Sequence, residues 1–138
     1  MRDLTELRAA ARAARERAYA PYSHFTVGAA VETSDGRRFT GANVENASYG
    51  LTICAERTAV FAAVLAGGGR IAAVAVSGPD RATTPPCGAC RQVLAEFGAP
   101  DAVLSYARAD GTWTDTTLGE LLPDAFDPAA LEPARGIA

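Results

Sequence analysis

Turn residues cut the hydrophobic pattern of this chain into short helices and strands. Thr5 to Ala18 is rich in alanine and arginine, which favour helix. Thr5 is the expected cap, and Arg8 stands where a capping box would need Glu or Gln. Pro21 drives Ala20 out of the helical region, so the helix stops before it. Phe25 to Thr33 is a mostly apolar strand, expected to be buried on both faces. Ser34-Asp35-Gly36-Arg37 carries the Asp-Gly hairpin signal, and Arg38 to Asn46 returns as a second strand. After a loop, a helix runs from about Ile53 to Ala66 and ends at Gly67-Gly68-Gly69, where glycine takes the left-handed conformation cheaply. Ile71 to Ser77 is a short apolar strand, and Gly78 to Pro86 is a loop. Gly88 to Phe97 is a helix closed by Gly98. Ala102 to Ala107 and Thr112 to Thr117 are strands, followed by short helical candidates at Thr117 to Leu122 and Pro128 to Leu131. The order α-β-β-α-β-α-β-β-α predicts an α/β fold, a three-layer α/β/α arrangement around a five-stranded mixed sheet. Residues 1–138 read as one domain, with the tail from Glu132 expected to fray.

Composition narrows the function. A chain of 138 residues that is 49% hydrophobic can bury a sufficient core without disulfides. Its net charge of −3 and the lack of a basic run argue against nucleic acid or an anionic membrane as partner. Every one of the 13 basic residues is arginine, which excludes Schiff-base chemistry and a P-loop lysine. His24 is the single histidine, so no mechanism can use two. Acidic residues near the N-terminus, where a signal peptide would be apolar, point to the cytoplasm.

Three cysteines carry the chemistry. Cys54 opens one predicted helix, and Cys87 and Cys90 open another, in Cys-x-x-Cys spacing after Pro86. Free N–H groups and the positive end of a helix dipole stabilise thiolates at such positions. Three thiolates can hold Zn²⁺ and leave a fourth position for water, whose pKa then falls to about 7. A closed structural site would need a fourth ligand, for which His24, beside a strand start, is the one histidine and a poor candidate. Glu56, two residues past Cys54, can point beside the metal without binding it and carry protons. Arg57 can donate to the cysteine sulfurs and offset the net −1 charge of zinc with three thiolates.

The Cys-x-Glu and Pro-Cys-x-x-Cys pair is the three-cysteine form of the zinc-deaminase signature. From Tyr19 to Phe126 the chain resembles the small homotetrameric cytidine deaminases. The matching segments are Ala20-Pro21-Tyr22-Ser23, Phe25, Val27-Gly28-Ala29-Ala30, Gly41, Asn43-Val44-Glu45-Asn46-Ala47, Cys54 to Ala59, Pro86 to Val93, Glu120 to Pro123, and Phe126. The resemblance implies one Zn²⁺ per subunit on Cys54, Cys87 and Cys90, with Glu56 catalytic. It implies hydrolytic deamination of cytidine and 2′-deoxycytidine in pyrimidine salvage. Asn43 and Glu45, two apart on a strand and so on one face, would hold the sugar 3′-hydroxyl. A carboxylate there would also repel a 5′-phosphate. Phe25 would pack against the pyrimidine, and the backbone at Ala55 would meet the polar edge of the base. Phe126 would enter a neighbouring subunit's site, making active sites shared within a homotetramer. Gln92 matches the family as well, without a role that its position explains. A deaminase for a cytosine-containing antibiotic is the nearest rival, and Asn43 and Glu45 argue against it because such a substrate lacks an ordinary ribose.

Overall fold

The computed structural model describes residues 2–129 and residue 131. Its elements are α1 (Thr5–Ala14), β1 (Gly28–Thr33), β2 (Arg38–Ala42), α2 (Ala55–Leu65), β3 (Ile71–Ser77), α3 (Gly88–Phe97), β4 (Gly98–Ala107), β5 (Trp113–Thr117) and α4 (Leu118–Leu121). The strands form one sheet in the order β2-β1-β3-β4-β5. β3 and β4 are parallel and the other pairs antiparallel, so the sheet is mixed, as the element order predicts.

Strand alternation sends two sets of side chains to the two faces. Ala29, Val31, Val74, Val76 and Leu104 pack with Ala59, Val60, Ala63, Leu94 and Leu118 under α2, α3 and α4. Ala30, Ala73 and Ala75 face the other way and meet Leu7 and Ala11 of α1 and Leu4 just ahead of it. The helices thus make two layers around the sheet. Small residues line the α1 side, which lets that helix sit close to the strands.

Several boundaries depart from the sequence expectation. Thr5 does not cap α1; Asp3 Oδ1 instead accepts from the Thr5 N–H at 2.9 Å, and Leu4 is the cap residue. The helix tightens into a 3₁₀ turn at Arg15–Arg17. β1 begins at Gly28 rather than Phe25, and β2 ends at Ala42 rather than Asn46. β4 starts at Gly98, earlier than Ala102, because a register shift lets Gly98 pair with Ile71 before Val103 pairs with Ala73. Pro128, Ala129 and Leu131 lie in a 3₁₀ turn, and the tail from Glu132 lies outside the described residues. Other signals hold. Gly67, with φ +70°, follows the cap residue of α2, and the N–H groups of Gly67 and Gly68 return to Val64 and Ala63 at 3.0 Å each. The Asp35-Gly36 turn has Gly36 at φ +86°. Thr117 caps α4 by accepting from the Glu120 N–H at 3.3 Å.

Candidate metal centre and substrate pocket

The register of the sheet brings two helix starts together. β2 and β3 flank β1, and both run antiparallel to it. They therefore run in the same direction, and Gly28 pairs with both Ala42 and Ser77. The chain leaves β2 toward α2 and leaves β3 toward α3 at this one edge of the sheet. Val44 and Ile53 close the first connection by an isolated antiparallel bridge, which delivers Cys54 to the cap position of α2. Cys87 is the cap residue of α3.

Three sulfurs converge there. Cys54 Sγ lies 3.8 Å from Cys87 Sγ, and Cys87 Sγ lies 3.5 Å from Cys90 Sγ. All three are within 4.8 Å of one another. Tetrahedral zinc with Zn–S bonds of about 2.3 Å places its sulfurs about 3.8 Å apart, so the donor set fits the ion. Among the described residues no histidine or carboxylate joins this cluster. His24 is exposed. The Arg57 guanidinium donates to Cys54 Sγ at 3.4 Å, and its Nε is buried without a partner among the described residues.

The sulfurs share charge unequally. The hydrogen bond from Cys90, aided by Arg57, draws the Cys54 thiol down to about 5. Cys90 is pushed up, first by that same hydrogen bond and then by burial. A divalent cation among the sulfurs removes this competition, because a coordinated thiol is deprotonated outright. Glu56 is 4% exposed, and burial pushes its carboxyl up to about 7.

These groups lie at one side of a 360 Å³ pocket, a size that suits a small ligand. Its lining includes Phe25, Asn43, Glu45, Ala55 and Glu56 with Cys54 and Cys87. The structure thus gathers most of the residues named from sequence. Asn43 and Glu45 lie just beyond β2, yet both face the pocket while Val44 between them is exposed. Phe25 is 41% exposed in irregular chain ahead of β1. Phe126 does not line its own chain's pocket; it is 63% exposed. Gln92 acquires a contact that sequence did not supply: its Nε2 donates to the Phe126 carbonyl at 2.9 Å. A larger groove of 580 Å³, lined by Arg70, Glu96, Pro123 and Asp124, lies at the opposite edge, where β3 begins, away from the sulfurs.

Sequence reasoning passed over Ser23, Thr84 and Pro85, which also line the pocket. Thr84 and Pro85 stand within three residues of Cys87, and that proximity was the available signal. The Thr84 N–H bonds to the Ala107 carbonyl at 3.0 Å, pinning this wall to the end of β4.

Known proteins are similar to this chain in sequence and fold. A family model described as the cytidine and deoxycytidylate deaminase zinc-binding region matches residues 1–106. The cytidine deaminase of Halalkalibacterium halodurans is 51% identical over 113 residues, covering 82% of this chain and 86% of that one. The cytidine deaminase of Mycobacterium tuberculosis is 48% identical over 124 residues, 90% of each chain. The crystal structure of cytidine deaminase from Burkholderia pseudomallei aligns with a TM-score of 0.85 at 53% identity, covering 91% of this chain and 100% of that one. The chain belongs to the cytidine and deoxycytidylate deaminase family.

Proposed function

We propose that this protein hydrolyses cytidine and 2′-deoxycytidine to uridine and 2′-deoxyuridine with release of ammonia, as a zinc-dependent enzyme of pyrimidine salvage. The observation that carries this reading is the convergence of three sulfurs within 4.8 Å beside a buried Glu56, at one pocket with Asn43 and Glu45. Cys54, Cys87 and Cys90 hold one zinc ion per subunit. Bound there, the ion would supply Lewis-acid activation of water near neutral pH.

Glu56 moves the protons. Its carboxylate takes a proton from the attacking water and delivers it to N3 of the pyrimidine, which makes C4 electrophilic. The water oxygen bonds to C4, which becomes tetrahedral. Glu56 then takes the proton of the new C4 hydroxyl and gives it to the exocyclic amine. The C4–N bond breaks, ammonia leaves and C4 becomes a carbonyl. The ring N3–H and ammonia account for the two hydrogens of the water, and the C4 carbonyl for its oxygen. Arg57 steadies the sulfur charge. Phe25 packs against the ring, and the Ala55 backbone meets its polar edge. Asn43 and Glu45 bind the sugar 3′-hydroxyl, and the Glu45 carboxylate disfavours a 5′-phosphate.

The working assembly is a homotetramer with shared sites, in the cytoplasm, with residues 1–138 forming one catalytic domain. Two observations support the assembly. Phe61, Val64 and Leu65 leave the outer side of α2 apolar, with Leu65 89% exposed. Phe126 is exposed and lies outside its own chain's pocket while Gln92 donates to its carbonyl, which supports a role in another subunit's site. Among the described residues, no helix is long and apolar enough to cross a membrane.

The test follows the ultraviolet band of cytosine in cytidine incubated with purified protein. Zinc-loaded protein converts the band to that of uracil, chelated protein does not, and reloading restores turnover. Zinc-loaded protein that leaves cytidine unchanged refutes the assignment. Light scattering on the same sample reports the assembly.

A further inference from the structure

The turn from Pro21 to His24 is built around Glu45. The N–H groups of Tyr22 and Ser23 donate to one carboxylate oxygen at 3.0 and 3.2 Å. The Ser23 hydroxyl donates to the other oxygen. The same hydroxyl oxygen accepts from the Phe25 N–H at 2.9 Å. Between these residues His24 takes φ +58°, a left-handed conformation that a non-glycine residue keeps only where its surroundings over-determine it. Its N–H returns to the Ala20 carbonyl at 3.0 Å. From the other side, the Glu45 N–H donates to the Tyr19 carbonyl at 2.8 Å. Asn43 is tied to the same segment. Its Oδ1 accepts from the Val27 N–H at 2.9 Å, and its Nδ2 donates to the Phe25 carbonyl at 2.8 Å.

Two of these bonds meet at one atom. Ser23 Oγ donates toward Glu45 and accepts from the backbone of Phe25, so it sets the spacing between the aromatic wall and the carboxylate. Serine and threonine can do both at once; alanine can do neither. Three donors on two oxygens fix the Glu45 carboxylate as an acceptor, with one lone pair, on the oxygen the Ser23 hydroxyl meets, left for a ligand.

We propose that Ser23 is a positioning residue for substrate binding: its hydroxyl locks Glu45 relative to Phe25, so that the pocket selects nucleosides presenting a sugar hydroxyl donor to that carboxylate. This rests on the assignment of Asn43 and Glu45 to the sugar 3′-hydroxyl. The effect belongs to binding and not to proton transfer, because Ser23 acts at the sugar end through Glu45.

The experiment compares the zinc-loaded wild type with the Ser23→Ala and Ser23→Thr variants on cytidine and on 3′-deoxycytidine. Melting temperature and zinc content are recorded for each. Loss of a charge-assisted bond that holds the sugar ligand raises KM for cytidine ~10-fold in Ser23→Ala and leaves kcat within ~2-fold. The same variant changes KM for 3′-deoxycytidine by less than ~2-fold, since the contact it supports is already missing, and Ser23→Thr restores the wild-type KM. An unchanged KM for cytidine overturns the proposal. So does an equal rise on both substrates, which would mark Ser23 as a structural residue. Should the alanine variant fail to fold, Ser23→Cys carries the same comparison with a KM rise of ~3-fold, because a thiol is the weaker donor and acceptor. A wild type that binds both nucleosides alike overturns the assignment of Glu45 itself, a failure distinct from that of Ser23.

Discussion

Gly41 ties the fold to the chemistry, and a single methyl group tests the tie. Gly41 sits in β2 against the first turns of α2. A Cβ built there would lie 2.2 Å from Thr58 Oγ1, 2.4 Å from the Ala59 nitrogen and 2.7 Å from the Ala55 oxygen. Two of these atoms are backbone. The third is held in place, since Thr58 Oγ1 donates to the Ala42 and Ala55 carbonyls at 3.0 and 2.9 Å. Reaching an ordinary contact of 3.4 Å from 2.4 Å requires α2 to retreat by 1.0 Å. Overpacking of this kind costs about 1–3 kcal/mol, and backbone neighbours place Gly41→Ala at the upper end. For a domain of this length that lowers Tm by roughly 6–15 °C. The retreat also carries Cys54 and Glu56 away from Cys87 and Cys90, which stand on α3. A misplacement of 1 Å at reacting groups costs on the order of 10²-fold in rate. Calorimetry of the zinc-loaded variant and steady-state deamination of cytidine measure the two effects together. A Tm within about 2 °C of wild type with kcat within about twofold would refute the idea that this glycine sets where α2 begins.

Other perturbations separate the parts of the site. Glu56→Gln keeps the side chain's shape while removing the proton carrier, so kcat should fall by roughly 10²–10⁴ with zinc content unchanged, as read by metal analysis beside turnover. Cys90 is fully buried; metal loading should raise the Tm of the wild type, and Cys90→Ser should lose zinc, activity and that rise in Tm. Asp35 is held down to about 2, first by the Thr33 hydroxyl and then by Arg37. Its stabilising effect is full above its ordinary 3.8 and is lost as pH falls through about 2. The Tm difference between wild type and Asp35→Asn should therefore be constant at neutral pH and close over that acidic window, as a pH series of melts would report.

Much of this architecture was legible because local signals and tertiary structure agree. The glycine run after α2, the Asp35-Gly36 turn and the apolar run of β3 each have a local physical cause, and each appears where expected. The cysteine spacing was legible for a similar reason, since one helical turn is enough to aim Cys87 and Cys90 at one point. What escaped is set by distant partners. Nothing in Gly98-Ala99-Pro100-Asp101 favours a strand; pairing with Ile71, across a register shift, makes it one. Asn43 to Asn46 read as the continuation of β2, but the chain beyond Ala42 pairs instead with Tyr19 and Ile53 through Val44. Ser23, Thr84 and Pro85 became visible as pocket walls only when two separate loops, ahead of β1 and after β3, met at one end of the sheet.

Charge explains why this edge can do acid–base chemistry. Zinc with three thiolates carries a formal −1, and the chain contains no lysine to neutralise it. Two other sources of positive potential converge on it: the starts of α2 and α3, whose cap residues are Cys54 and Cys87, and the guanidinium of Arg57 on Cys54. Glu56 lies on the first turn of the same helix, where the dipole favours an anion, but it is buried beside thiolate charge, which favours a neutral acid. Burial is the largest influence on the carboxyl, which is raised on balance. A glutamate in the same helical position but open to solvent would remain a carboxylate and could only accept. Enclosed beside an anionic cluster, it can hold a proton long enough to deliver it, which is what the proposed transfers to N3 and to the departing amine ask of Glu56.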